Sequence, residues 1–289
     1  MKYLFLFFML FFTSFVYAQP NVTVSIAPQK YFVEQIAKNL VHINVMVSAG
    51  SSPHTYEPKP QQMKDISTSD IYFTIGDGFE KAWLPKFKSI NPKMIFADTS
   101  VGITKIAMAE HHHEGNNKNA HHDDDDDDGG LDPHIWLDPL LVKIQAKTIL
   151  ETLSRVYPSH VKEFEANYAT FLVSLDTLDT NIKTMLEPIK HRSFIVFHPS
   201  FGYFAKRYGL EQVAIEVSGK EPKPAELAHI IKEAKEENAK IVFVSPQFSQ
   251  KSAKSIATQI NGKVEIIDPL EYSWENNLMK IAKLFQSVL

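Results

Sequence analysis

Short runs of β-branched and aromatic residues alternate with amphipathic stretches along most of this chain. Residues 22–26, 43–47, 71–76 and 94–98 read as four strands. After the first, Pro28 opens a segment that carries Tyr31, Phe32, Ile36 and Leu40 at helical spacing. Residues 59–69 read as a further helix. The same alternation returns later. Residues 193–198, 213–217, 240–245 and 264–268 read as strands, with helices over 223–238 and 249–261. Strands alternating with helices predict βα units and a mostly parallel sheet.

Between the two series lie two helical segments. In the first, Asp138 is placed as an N-cap with Pro139 at the first helical position. Leu140, Leu141, Ile144, Thr148, Leu153 and Val156 give it one apolar face. In the second, Val161, Phe164, Tyr168, Phe171, Leu175, Leu178, Ile182 and Met185 recur in unbroken steps of three and four until Pro188. This predicts one helix, roughly 45 Å long at 1.5 Å per residue. The fold class expected is α/β, with two lobes, each with a roughly four-stranded mostly parallel sheet, joined by a long rigid helix. The N-terminal lobe spans 19–157, the connecting helix 158–188 and the C-terminal lobe 189–289.

Two segments fall outside this pattern. The first begins with Lys2 and an apolar run from Leu4 to Phe12, followed by small residues around Ala18. It reads as a signal peptide over 1–18, too short to span a bilayer comfortably. No cysteine follows it for lipid attachment, so a periplasmic location is expected. The second, over 109–130, holds His111, His112, His113, His121 and His122 beside six consecutive aspartates. Nothing in it builds a core. It reads as a mobile loop that holds zinc weakly through those imidazoles, with the aspartates raising the local cation concentration.

Composition narrows the function. The net charge of -4 gives no basic excess, so nucleic acid is not an expected partner. Without cysteine there is no disulfide framework, no thiolate zinc site and no thiol nucleophile. Ligands of open parallel sheets bind beyond the carboxyl ends of the strands. There the sequence places His54, His198 and Asp268, and His134 stands between the loop and the helix that follows it. Three imidazoles and one carboxylate form a tetrahedral set that suits Zn2+. His42, His160, His191 and His229 have no such placement and read as surface residues.

The stretches "GSSPHTYEPKP", "DPHIWLDP", "FHPSFGYFAKRYGL", "SGKEPKPAEL" and "IIDPL" resemble the motifs of the metal-binding solute receptors of ABC importers, in their zinc branch. They occur in the same order and cover essentially the whole mature chain. The resemblance implies two lobes joined by a long helix, with one ion bound between them, and a membrane ABC permease as partner. It places the ligands on His54, His134, His198 and Asp268. The manganese branch often has a carboxylate where this chain has His198, so the histidine favours zinc. The chain departs from some relatives in lacking a disulfide in the C-terminal lobe, and in "HPS" where an acidic residue is commoner after the third histidine. The expected protein is a monomeric, non-enzymatic Zn2+ carrier. A manganese receptor of the same family is the alternative. A secreted zinc hydrolase fits less well, because the sequence has neither "HExxH" nor "GxSxG".

Overall fold

The structure, a computed structural model, describes residues 19–108, 130–216, 224–236, 239–248 and 250–289. The expected signal peptide and the histidines between 111 and 122 lie outside the described residues.

Among the described residues, eight strands of four residues each form two sheets. The first holds β1 (Asn21–Val24), β2 (His42–Val45), β3 (Ile71–Thr74) and β4 (Ile95–Asp98), in the order β2-β1-β3-β4. The second holds β5 (Ser193–Val196), β6 (Glu211–Ala214), β7 (Ile241–Val244) and β8 (Lys263–Ile266), in the order β6-β5-β7-β8. Every strand pair is parallel. The central strands β3 and β7 are buried along their whole length, which explains their continuous apolar sequence. The order in each sheet puts a switch point beside β1 and β5, where loops diverge and a cleft opens.

The helices are α1 (Ala27–Ala37), α2 (Pro60–Thr68), α3 (Gly78–Ile90), α4 (Pro139–Val156), α5 (Val161–Leu186), α6 (Gly202–Tyr208), α7 (Pro224–Glu236), α8 (Gln250–Gln259) and α9 (Trp274–Val288). Asp138 caps α4 as its sequence predicts, accepting from Leu140 N at 2.8 Å, with Pro139 at the first position. The buried stripe of α4 differs from the expected one. It runs through Val142, Gln145, Ala146, Ile149, Thr152 and Leu153, because α4 is covered by both α1 and α5. Leu140, Leu141 and Ile144 are only half-buried. Helices α3, α6 and α9 were not foreseen. Pro85 sits inside α3 and breaks its sequence signature.

The long helix α5 has 26 residues, about 39 Å at 1.5 Å per residue. A short 3-10 turn, Pro158–His160, precedes it, and the helix ends at Leu186, so it is shorter than expected at both ends. Its buried residues Phe164, Phe171, Leu175, Leu178, Ile182 and Leu186 pack against α1, α4 and α9. One apolar cluster therefore runs unbroken from Phe32 of α1 through Phe171 to Trp274 and Phe285 of α9. A smaller cluster fills the far side of the second sheet around Ile215, Val242 and Ile256. Two tyrosines join α1 reciprocally to the α9 region. Tyr31 donates to Glu275 at 3.0 Å, and Tyr272 donates to Glu34. Among the described residues no helix is long and apolar enough to cross a membrane.

Candidate metal centre

The carboxyl ends of both sheets face one another, and the polar side chains there come from short post-strand loops. His54 lies in the 3-10 turn Pro53–Thr55 after β2. His198 follows β5 by two residues, and Asp268 follows β8 by two. His134 leads into the turn Ile135–Leu137 just before α4. The ligand nitrogens of His54, His134 and His198 all lie within 4.8 Å of one another. Their ring centroids stand 4.9 to 5.6 Å apart. His134 and His198 are buried, and His54 is the more open of the three.

Asp268 does not join this cluster. Its Oδ1 accepts from Gln247 Nε2 at 2.8 Å and from Leu270 N at 2.9 Å. Gln247 and Leu270 line the same small cavity as the three histidines, together with Phe248, which stacks on His198 at 4.7 Å. His42, His191 and His229 are exposed, and His160 is half-buried beside Glu163.

Each histidine of the cluster has a carboxylate at Nδ1. His134 meets Asp132 Oδ1 at 2.7 Å, His198 meets Glu216 Oε2 at 2.5 Å, and His54 faces Asp77 Oδ2 at a looser 3.3 Å. A carboxylate at Nδ1 fixes the proton there and leaves Nε2 as the lone-pair nitrogen. These acidic partners were not foreseen. Asp77 and Glu216 also stand just beyond strand ends, so the rule that found His54 and His198 could have found them. Asp132 lies two residues before His134 and also accepts from His134 N at 2.8 Å. Gly202 makes room for this arrangement, because a Cβ there would stand 2.5 Å from Asp132 Oδ2. Tyr203 OH donates to Asp132 O at 2.9 Å and accepts from Ile106 N at 3.2 Å. The "FGYF" stretch thus supports His134 from the opposite lobe.

The two facing imidazoles are electrostatically unlike. Burial pulls the His54 pKa down, but the Asp77 carboxylate, with Glu216 and Asp132 behind it, outweighs burial and leaves it raised. Burial pushes His198 down to about 4, with His134 and His54 adding to it against the pull of Glu216. Their Nε2 atoms stand 3.1 Å apart. A cation entering here meets three converging imidazole nitrogens.

This donor set suits a borderline-soft divalent cation. The family model described as "ZnuA: Zinc-uptake complex component A periplasmic" matches residues 22–284. The chain belongs to the ZnuA family. The high-affinity zinc uptake system protein ZnuA of Bacillus subtilis (strain 168) is 32% identical over 87% of this chain and 78% of its own. The zinc-binding protein AdcA of Streptococcus pyogenes is 29% identical over 87% of this chain, which spans 50% of that longer protein. A crystal structure of ZnuA superposes with a TM-score of 0.85 at 42% identity, covering 94% of this chain and 99% of that one. A ZnuA deletion mutant with zinc bound gives 0.84 at the same identity, covering 94% and 98%. The two parallel sheets and long helix are thus the ZnuA-like solute-binding fold, and the family is one of metal-binding receptors of ABC uptake systems.

Proposed function

We propose that this chain is a periplasmic receptor that captures Zn2+ and delivers it to an ABC permease. His54, His134, His198 and Asp268 are the ligands, one donor atom each. Residues 1–18 direct export and are removed, and the mature chain acts as a monomer of two lobes spanning 19–157 and 189–289 about the helix. The observation that carries this reading is the convergence of three Nε2 atoms, each on a ring whose Nδ1 faces a carboxylate. Three nitrogens and one oxygen favour zinc over manganese, which prefers a richer oxygen set. A zinc hydrolase also needs an open metal position and a free general base. Asp132 and Glu216 are each hydrogen-bonded to a histidine ring and Asp77 faces the third at 3.3 Å, which supports a carrier rather than an enzyme.

Elemental analysis of protein purified without added metal, followed by competitive titration with Zn2+ and Mn2+, tests the cargo. Zinc should be recovered and should outcompete manganese. His54→Ala should weaken zinc severely, and His42→Ala should leave it unchanged. Tight manganese binding in preference to zinc, or parental zinc affinity in His54→Ala, overturns the reading.

A further inference from the structure

We propose that Gln247 sets the metal selectivity of the site by confining Asp268 to a single donor oxygen. The inference rests on the reading of Asp268 as the fourth ligand. Two hydrogen bonds fall on Asp268 Oδ1, from Gln247 Nε2 at 2.8 Å and Leu270 N at 2.9 Å. A carboxylate oxygen has about two lone-pair sites, so Oδ1 is filled. Among the described residues Oδ2 receives neither bond and is the oxygen left for an ion.

The loop behind it is fixed. Asn277 Nδ2 donates to Asp268 O at 2.7 Å, and Trp136 Nε1 donates to Pro269 O at 2.7 Å. The Leu270 N–H is main chain and is present whatever the side chain. Gln247 is the donor that the sequence chooses. Its amide has only one workable orientation, because turning Oε1 toward Asp268 would set two acceptors against each other. In that orientation Gln247 Oε1 is buried without a hydrogen-bond partner among the described residues. A buried orphan carbonyl is costly, so packing alone gives no reason for an amide here. The contact it secures is the one to Asp268, and Gln247 itself lines the cavity beside His54, His134 and His198.

The chemical consequence follows from coordination number. One oxygen from Asp268 and three imidazole nitrogens make four donors, the number zinc takes. Manganese takes more oxygen and more ligands, and Asp268 would have to offer both oxygens. With Oδ1 held by two N–H groups, that mode is withheld. Gln247 therefore acts through Asp268 to penalise manganese more than zinc.

The test uses the full mature chain and four proteins: the parent, Gln247→Met, Asp268→Ala and the double variant. Zinc and manganese affinities are measured by competition, and X-ray absorption counts the donors on each bound ion. Gln247→Ala serves in the same comparison if Gln247→Met does not fold. Gln247→Met should lower the zinc-over-manganese ratio by about tenfold, the usual scale for loss of a ligand's hydrogen-bond partner. Bound manganese should gain one oxygen, and in the Asp268→Ala background the Gln247 substitution should change the ratio no further. If Asp268→Ala weakens zinc but Gln247→Met keeps the parental ratio, the selectivity role is overturned while the fourth ligand stands. If Asp268→Ala binds zinc like the parent, the ligand assignment falls and the inference with it.

Discussion

The Trp136 indole N–H donates to the Pro269 carbonyl at 2.7 Å, and the Trp274 indole N–H donates back to the Trp136 carbonyl at 2.8 Å. Both rings are fully buried. Trp136 stands two residues after His134, and Pro269 is the neighbour of Asp268, so this reciprocal pair ties two proposed ligand loops across the lobes. Trp136→Phe removes the N–H together with the five-membered ring of a fully buried indole, which leaves a cavity. It should cost about 1–3 kcal/mol by leaving the Pro269 carbonyl unsatisfied, with a further loss from the cavity, and weaken zinc about tenfold by loosening Asp268. Chemical denaturation and competitive titration measure the two effects. Full zinc affinity in a destabilised variant would show the tie to be structural only.

Glu216 provides a second check, because it touches the ring of His198 and not the proposed ion position. Glu216→Leu removes the acceptor that holds the proton on Nδ1. The imidazole is then free to carry its proton on Nε2, the nitrogen needed for metal. Zinc affinity should fall by roughly 10- to 100-fold, and Glu216→Gln, which retains an acceptor, should fall less. Equal losses in the two variants would argue against control of the tautomer.

How far the fold was readable varied with the kind of signal. Strands such as β3 and β7 are visible because complete burial needs a continuous apolar run, and α5 because nothing breaks its steps of three and four. The stripe on α4 was misplaced because that helix is covered on two sides, which blurs a single-face pattern. Helix α3 hides behind Pro85. At the centre, His54 and His198 follow strands and His134 stands between the histidine-rich segment and the next helix, and the structure brings their nitrogens together. The hydrogen bond that engages Asp268 was not legible. Gln247 and Asp268 follow different strands, and only the parallel pairing of β7 with β8 sets those loops side by side.

Two buried groups should give the zinc-free protein an unusual pH response. His198 has its pKa depressed to about 4 from an ordinary 6.5. Its stabilisation is complete above the unfolded value and is lost as pH falls toward the folded one, by up to about 3 kcal/mol. Glu80 is the opposite case. Burial pushes it up to about 7 from 4.5, against hydrogen bonds from Ser25, Ile75 N and Gly76 N. Its stabilisation is complete below the unfolded value and is lost as pH rises toward the folded one, again by about 3 kcal/mol. Between pH 4.5 and 6.5 the two slopes oppose each other. His54, whose pKa is raised, adds a loss with rising pH only above that window. Denaturant melts of the parent should therefore be nearly flat across it. Glu80→Gln should restore a clear rise of stability with pH, and a flat profile in that variant would contradict the buried-charge account.

The continuity of the core across α5 argues for small relative motion of the two sheets. Closing the cleft widely would shear Phe171 away from Phe32 and from the α9 face. Solution scattering of the zinc-free and zinc-loaded protein should give radii of gyration that nearly coincide, while zinc still raises the melting temperature by mass action. A large contraction on zinc addition would mean that this packing yields.

The histidine and aspartate segment can be removed without disturbing its anchors. Met108 N donates to Gly130 O at 2.7 Å and Asp132 N to Ile106 O at 2.8 Å, with Ala107 bridged antiparallel to Leu131. The flanks already meet as a hairpin stem, so an Asn-Gly pair in place of residues 109–129 should close it as a tight turn. That exchange deletes His111, His112, His113, His121 and His122 together with all six consecutive aspartates. His134 keeps its Asp132 partner, and tight zinc binding should barely change. The loss should fall on a class of weaker sites, because a segment so poor in apolar residues must spend ordering entropy to assemble a coordination shell. Those sites need neutral imidazole, so in the parent they should fade below about pH 6.5. Calorimetry at neutral pH should find more than one zinc per parent chain and one per shortened chain. A single zinc on both would leave the segment with no role in collecting metal. Loss of the tight site on shortening would mean that a primary ligand lies within it.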